Sequence, residues 1–267
     1  MFILPKKVQL TLRCSIAALL VTLLSGCISS DYSKAEEFFR EGKYHSAVEM
    51  YYSFIREHPK SSKVTESLFK MGDITYQYIG ETKKGLRYFN NLVDNYPIDK
   101  FTILAQQRIA EIYKGKLNDC NRAIVEFQKL IDWDRSSSRA PYFLYQIGSC
   151  YMQLRNYPQA LIEFESVLSR YPKSEYIGDT LYQIGNIYYI NGDYAKATTY
   201  YDMVITSHSE SKYLPQAKFG LASCYEEMED FDKALKAYGE LLNVYPSKKV
   251  VEIRIEGVKE RKKKLNR

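Results

Sequence analysis

The stretch PYFLYQIGSCYMQLRNYPQALIEFESVLSRYPKSEYI (141–177) runs without a gap into GDTLYQIGNIYYINGDYAKATTYYDMVITSHSESKYL (178–214) and then into PQAKFGLASCYEEMEDFDKALKAYGELLNVYPSKKVV (215–251). At a spacing of 37 the three segments align position by position. Gly148, Gly185 and Ala222 coincide, as do Tyr151, Tyr188 and Tyr225. So do Ala160, Ala197 and Ala234, and then Phe164, Tyr201 and Tyr238. An internal period of this length belongs to stacked-repeat architectures, because one unit alone cannot bury its apolar face and neighbours must cover it.

The pattern continues upstream with small slips. Ala35, Phe38, Ala47, Tyr51 and His58-Pro59 mark a first repeat, Gly72, Tyr76, Gly85, Phe89 and Tyr96-Pro97 a second, and Ala110, Tyr113, Ala123 and Phe127 a third. Six repeats are therefore expected over 32–251, at 32–64, 65–101, 102–140, 141–177, 178–214 and 215–251. Within each, apolar residues recur at three and four, as at Leu144, Ile147, Gly148 and Tyr151, which predicts a first helix. A polar turn follows, such as Leu154 to Tyr157 or Ile190 to Asp193. A second helix carries Ala160, Ile162, Phe164 and Leu168. Pro59, Pro97, Pro172 and Pro246 stand after the second helices, where a residue lacking an N–H ends them. Gly148 and Ala160 let the two backbones approach, and the aromatics fill the space beside them.

These residues resemble the tetratricopeptide repeat, whose signature is a small residue, an aromatic three positions on, then Ala, an aromatic and Pro. The resemblance implies an all-α tetratricopeptide-repeat solenoid of about six helix-turn-helix repeats with a C-terminal capping helix. The repeat exceeds the usual length by an extended linker, as in Arg170 to Ile177. In the tail, 252–267 with its approach, Val251, Ile255, Val258 and Leu265 share one helical face, as a cap on the exposed end of a solenoid requires. Lys259, Arg261, Lys262, Lys263, Lys264 and Arg267 crowd this tail. They read as the solvated face of the cap, with contact to anionic lipid or an acidic partner as the other reading.

At the other end stands MFILPKKVQLTLRCSIAALLVTLLSGCISS (1–30). Lys6, Lys7 and Arg13 precede an apolar run from Cys14 to Leu24, too short to span a bilayer as a helix, which takes roughly 20 residues. A basic leader, a short apolar core and small residues at its exit describe a secretory signal. The exit, Leu24-Ser25-Gly26-Cys27, resembles the lipobox of bacterial lipoproteins. That resemblance implies a signal peptide over 1–26, lipidation of Cys27 by two or three acyl chains, and a short tether over 27–31. Two chains suffice for stable anchoring, and about six residues reach at most about 20 Å. An ordinary secretory signal with a chance cysteine is the other reading of these residues.

Loss of 1–26 removes three basic residues and no acids from a chain of formal charge +6, so 35 basic residues face 32 acidic ones and the balance falls to +3. That near-neutrality gives no reason to expect nucleic-acid binding. Cys120, Cys150 and Cys224 remain, an odd set from which no disulfide framework can be read. Cys150 and Cys224 fall at equivalent repeat positions and read as small buried apolar residues. His58 and His208 fall where Tyr171 and Tyr245 fall in other repeats, and His45 stands apart from both. No glycine-rich phosphate loop and no metal-spaced His/Cys/Asp set occurs. No cofactor and no catalytic activity are expected.

A solenoid of this type offers instead a concave surface lined by its first helices. The register puts Tyr142, Tyr145, Asp179, Tyr182, Asn186, Tyr189 and Phe219 there, with Ser149 and Met152 between them. Rings that cover apolar side chains, beside amides that bond a backbone, suit an extended peptide. Packing between repeats is the alternative use for the same tyrosines. Tetratricopeptide domains that grip a terminal carboxylate need a lysine on this face. Tyr145, Tyr182 and Phe219 stand where it would serve, so no carboxylate clamp is expected.

The combination of a lipidated cysteine, almost no linker and Tyr-Pro-x-Ser linkers such as Tyr171-Pro172-Lys173-Ser174 resembles the BamD family of outer-membrane assembly lipoproteins. It implies an outer-membrane, lipid-anchored, periplasm-facing protein that helps insert β-barrels beside a BamA-like β-barrel partner. Ile28 after the cysteine, rather than Asp, agrees with outer-membrane sorting in enteric-type lipoproteins. BamD proteins have five less regular repeats. The uniform fourth to sixth repeats resemble equally the C-terminal domain of the cell-division coordinator CpoB, whose members are soluble and begin with a coiled coil absent here. A lipoprotein coordinating division or peptidoglycan synthesis is therefore the alternative.

Overall fold

The computed structural model describes residues 31–265, so the signal segment 1–26, Cys27, most of its tether and residues 266–267 lie outside the described residues. Every regular element among the described residues is helical. The first helix, α1, covers 31–40. There follow α2 (Tyr44–Glu57), α3 (Val64–Gln77), α4 (Thr82–Asn95), α5 (Lys100–Glu111), a π-helical turn (Ile112–Lys116), α6 (Cys120–Trp133), α7 (Ala140–Gln153), α8 (Tyr157–Arg170), α9 (Ile177–Ile190), α10 (Tyr194–Ser207), α11 (Leu214–Glu227), α12 (Phe231–Leu241) and α13 (Lys248–Leu265). The all-α class is as the periodicity implied, and α7, α9 and α11 begin at positions one period apart.

The chain forms two compact units, one ending at Ile112 and one starting at Tyr113. The division falls in the π-helical turn, inside the third repeat of the sequence reading. In the first unit α2 packs on α3, α3 on α4, and α5 on both α3 and α4. Tyr51, Phe54, Met71 and Phe89 are fully enclosed there. A half-buried charge network ties α1 to α3: Lys70 Nζ lies 3.3 Å from Glu66 and also pairs with Glu36, while Lys63 Nζ lies 2.9 Å from Glu66. The Tyr51 hydroxyl donates to Glu36.

In the second unit each helix from α6 to α13 packs on the next. The small-aromatic pairs operate as their chemistry requires. A Cβ placed on Gly148 would stand 2.6 Å from the Phe164 ring, and one on Gly185 2.7 Å from the Tyr201 ring. Ala160, Ala197 and Ala234 are enclosed, as are Phe164, Tyr201 and Tyr238. Asp119, Asn156, Asp193 and Asp230 accept hydrogen bonds from backbone N–H groups and cap the second helices. Such a cap contributes about 1 kcal/mol. Cys120, Cys150 and Cys224 are buried free thiols. Burial pushes the Cys150 and Cys224 thiols up to about 12.

Two packing expectations need correction. Ile162 is 51% exposed, because its neighbours Phe164 and Ala160 already define the inward face of α8. Leu265 is 63% exposed, since the buried face of α13 is carried by Val251 and Val258, with Ile255 packed beside them.

Candidate functional site: an aromatic hollow in the second unit

The first helices α7, α9 and α11 carry all seven residues expected on the concave surface. Tyr145 is only 5% exposed. Its ring lies 5.8 Å from Phe164 and 5.7 Å from Tyr176, and its hydroxyl is 3.4 Å from that of Tyr213. Tyr142 is half-buried against Tyr176, at 5.6 Å. Asp179 is buried: it accepts a 2.8 Å hydrogen bond from the Ser211 hydroxyl and pairs with Lys212 Nζ at 2.7 Å. Tyr145 therefore joins its repeat to the next, and Asp179 ties the first helix of the fifth repeat to that repeat's closing linker.

The remaining four, Tyr182, Asn186, Tyr189 and Phe219, come together around one hollow of about 370 Å³. Two of its rings are held by stacking on linker tyrosines. Tyr182 lies 4.6 Å from Tyr213 with ring planes 14° apart, and Phe219 lies 4.9 Å from Tyr245 with planes 24° apart. Offset stacking of this kind favours one ring orientation, so the walls are oriented by the fold itself. The Tyr201 hydroxyl donates to Asn186 Oδ1 at 2.8 Å, and Asn186 Nδ2 donates to Gln183 at 3.2 Å, which sets the direction of that amide. Burial, with the charge of Glu227 nearby, pushes the Tyr189 hydroxyl up to about 12, so it remains a neutral donor at physiological pH.

Tyr201, Gln216, Ser223, Tyr245 and Arg254 also line the hollow, and the repeat register did not single them out. Tyr245 was legible as a linker Tyr-Pro tyrosine. Arg254 was not, because α13 lies beyond the last repeat and no alignment sets its register. Below the hollow, Glu226 is buried, with its side chain 6% exposed. Arg254 Nη2 reaches it at 2.8 Å, Arg261 Nη1 at 3.1 Å, and the Tyr238 hydroxyl donates to it at 3.1 Å. Arg254 Nε donates to that same Tyr238 hydroxyl at 3.3 Å. Arg261, expected on a solvated face, is thus turned inward by a buried acid that the repeat itself supplies.

A larger hollow, of about 510 Å³, lies between the linkers Ser136–Ser138 and Arg170–Tyr176 and contains none of the expected site residues. Among the described residues no group of three or more His, Cys, Asp or Glu side chains could hold a metal ion. None of the described helices is long and apolar enough to cross a membrane.

Models of the tetratricopeptide repeat match residues 66–97, 142–174 and 176–247, together just over half of the chain. Solved structures share the fold at low identity. A tetratricopeptide repeat protein from Parabacteroides merdae aligns with a TM-score of 0.61 at 19% identity, covering 88% of each chain. PilW, a type IV pilus biogenesis factor, aligns at 0.57 and 14% identity over 86% of this chain and 98% of its own. The MamA protein aligns at 0.55 and 19% identity over 68% of this chain and 92% of its own. No curated protein matches the sequence.

Proposed function

Since the chain belongs to the tetratricopeptide-repeat proteins, whose arrays hold other proteins, we propose that it is a membrane-anchored scaffold of the bacterial envelope that binds an extended segment of a partner protein. The observation that carries this reading is the hollow at Tyr182, Asn186, Tyr189 and Phe219. Its rings are pre-positioned by stacking and its amides face the same space, so an entering peptide meets ordered partners and the ordering cost of binding is reduced.

The lipobox-like Leu24-Ser25-Gly26-Cys27 supports attachment of the array to the outer membrane through acyl chains on Cys27, facing the periplasm. Lipid anchor, short tether and Tyr-Pro-x-Ser linkers together favour a BamD-like part in outer-membrane β-barrel assembly, with a BamA-like barrel protein as partner. The uniformity of repeats four to six favours a second reading, a scaffold that coordinates cell division or peptidoglycan synthesis in the manner of CpoB.

Affinity capture of the full-length chain from detergent-solubilised membranes tests the choice. Recovery of a large β-barrel protein, together with reduced barrel content on depletion, is the expected result. Recovery of cell-wall synthases alone, with altered septation, would replace the first reading by the second.

A further inference from the structure

The repeat register gave the concave face of α7, α9 and α11 no cation, yet the cap helix α13 brings one to the same hollow. Arg254 lines it beside Tyr189, Phe219 and Tyr245. The guanidinium is fixed from behind. Its Nε donates to Tyr238 and its Nη2 lies 2.8 Å from Glu226 as an ion pair, while Nη1 makes no hydrogen bond to protein among the described residues. Its side chain is 35% exposed, so the free edge of the fork is open to an incoming group.

Arg254 and Arg261 share the single carboxylate of Glu226. Glu227 acts on Tyr189, but no ion pair joins it to Arg254 among the described residues. A guanidinium held on one edge and free on the other is pre-organised for a planar anion, and a charge-assisted hydrogen bond is about twice as strong as a neutral one. Gln216 stands in the same wall with its Oε1 buried and without a hydrogen-bond partner.

We infer that the hollow reads a carboxylate on the bound segment through Arg254, next to an apolar or aromatic residue that lies against Phe219 and Tyr189. This rests on the peptide-binding reading above and adds the chemistry of the segment. The carboxylate is an Asp or Glu side chain within the segment, since Tyr145, Tyr182 and Phe219 stand where a clamp for a chain end would need lysine.

The test is a selection of random seven-residue peptides, displayed with free C-termini, on the full-length protein. Enriched peptides are then synthesised in three forms: unchanged, with Asp and Glu replaced by their amides, and with an amidated C-terminus. The expected result is enrichment of an acid beside an aromatic or aliphatic residue, with a tenfold or greater loss of affinity when Asp and Glu are replaced by their amides. Loss on replacing the side-chain acids supports the inference, and loss on C-terminal amidation alone would assign a chain end and overturn it. Arg254→Met is expected to bind the unchanged and the neutralised peptide equally. Because the peptide substitutions leave the protein untouched, the comparison decides the matter even if Arg254→Met loosens the cap. Peptides that lose affinity with Tyr182→Ala but tolerate both neutralisations would overturn this inference and leave peptide binding standing. Absence of any selectable peptide would overturn the peptide-binding reading itself.

Discussion

Arg254 on the cap helix and Glu226 on the first helix of the sixth repeat form an ion pair of 2.8 Å in which the carboxylate is buried and the guanidinium is partly open. Glu226 occupies the register position of Tyr189 and Met152 in the two preceding repeats. An acid there is tolerable only because α13 supplies Arg254 and Arg261, and the Tyr238 hydroxyl adds a third donor. The cap and the last repeat are thus joined by charge as well as by Val251 and Val258.

Glu226→Gln keeps the shape and removes the counter-charge of two arginines. Loss of charge-assisted hydrogen bonds of this kind costs about 1–3 kcal/mol. The urea midpoint of the full chain is expected to fall accordingly, with the α13 amides exchanging faster with solvent. An unchanged midpoint would show that the pair contributes nothing to holding the cap.

The turns between paired helices place one residue per repeat in the left-handed region. Arg155 has φ 56° and Glu229 φ 60°, where the equivalent Gly192 has φ 77°. A side chain there is opposed by a clash of about 1–2 kcal/mol, partly offset by glycine's larger unfolded entropy. Arg155→Gly and Glu229→Gly should each stabilise by about 0.5–1 kcal/mol, and Gly192→Ala should destabilise by about 1 kcal/mol. Thermal melts of the three variants check the opposite signs.

In the first unit, burial raises the Glu66 carboxyl, but hydrogen bonds from Lys63, Tyr32 and Lys70 outweigh it and bring the pKa from an ordinary 4.5 down to about 2. Glu36 is opposed by burial in the same way and is lowered by Lys70 and Tyr51. Carboxyls more acidic folded than unfolded contribute stability that is full above their unfolded pKa and lost as pH falls through the folded one. Stability of this unit should therefore decline from about pH 4.5 toward pH 2. Lys70→Met should move that decline to higher pH. Circular dichroism against pH gives the transition, and an unmoved transition would assign it to other carboxylates.

Under the proposed anchoring, Cys27→Ser abolishes acylation without touching the helices. The variant should fractionate as soluble protein with an unchanged far-ultraviolet spectrum and should still recognise its partner. Variant protein that stays with membranes after a salt wash would show that the lipid is not the main anchor.

The helical repeats were legible because their packing is local and recurrent. Gly148 beside Phe164 and Gly185 beside Tyr201 are short-range pairs, repeated at one spacing, so the one-dimensional pattern carries their geometry. The concave set was legible only in part. Register placed Tyr145 and Tyr182 at equivalent positions. Both make equivalent ring contacts, Tyr145 with Phe164 and Tyr176 and Tyr182 with Tyr201 and Tyr213. But the Tyr145 hydroxyl also meets Tyr213 of the next repeat, where the register gives Tyr182 only Val250, and Tyr182 keeps one side on the hollow. Which side chain closes over an equivalent ring depends on what the following repeat or the cap presents to it, and that is a property of contact rather than of period.

By itself the sequence determined the all-α class, the pairing of small residues with aromatics inside each repeat, and the helices that carry the concave surface. All three follow from periodic burial along the chain. Only the tertiary structure decided that Asp179 ties its helix to the linker closing the same repeat through Ser211 and Lys212, and that Arg254 and Arg261 turn inward to Glu226. Those pairings join a helix to a linker or to the cap, and neither acid recurs at its position in the neighbouring repeats. A buried carboxylate takes whichever donors the fold delivers to it, because leaving it unpaired costs more than ordering a long side chain to reach it.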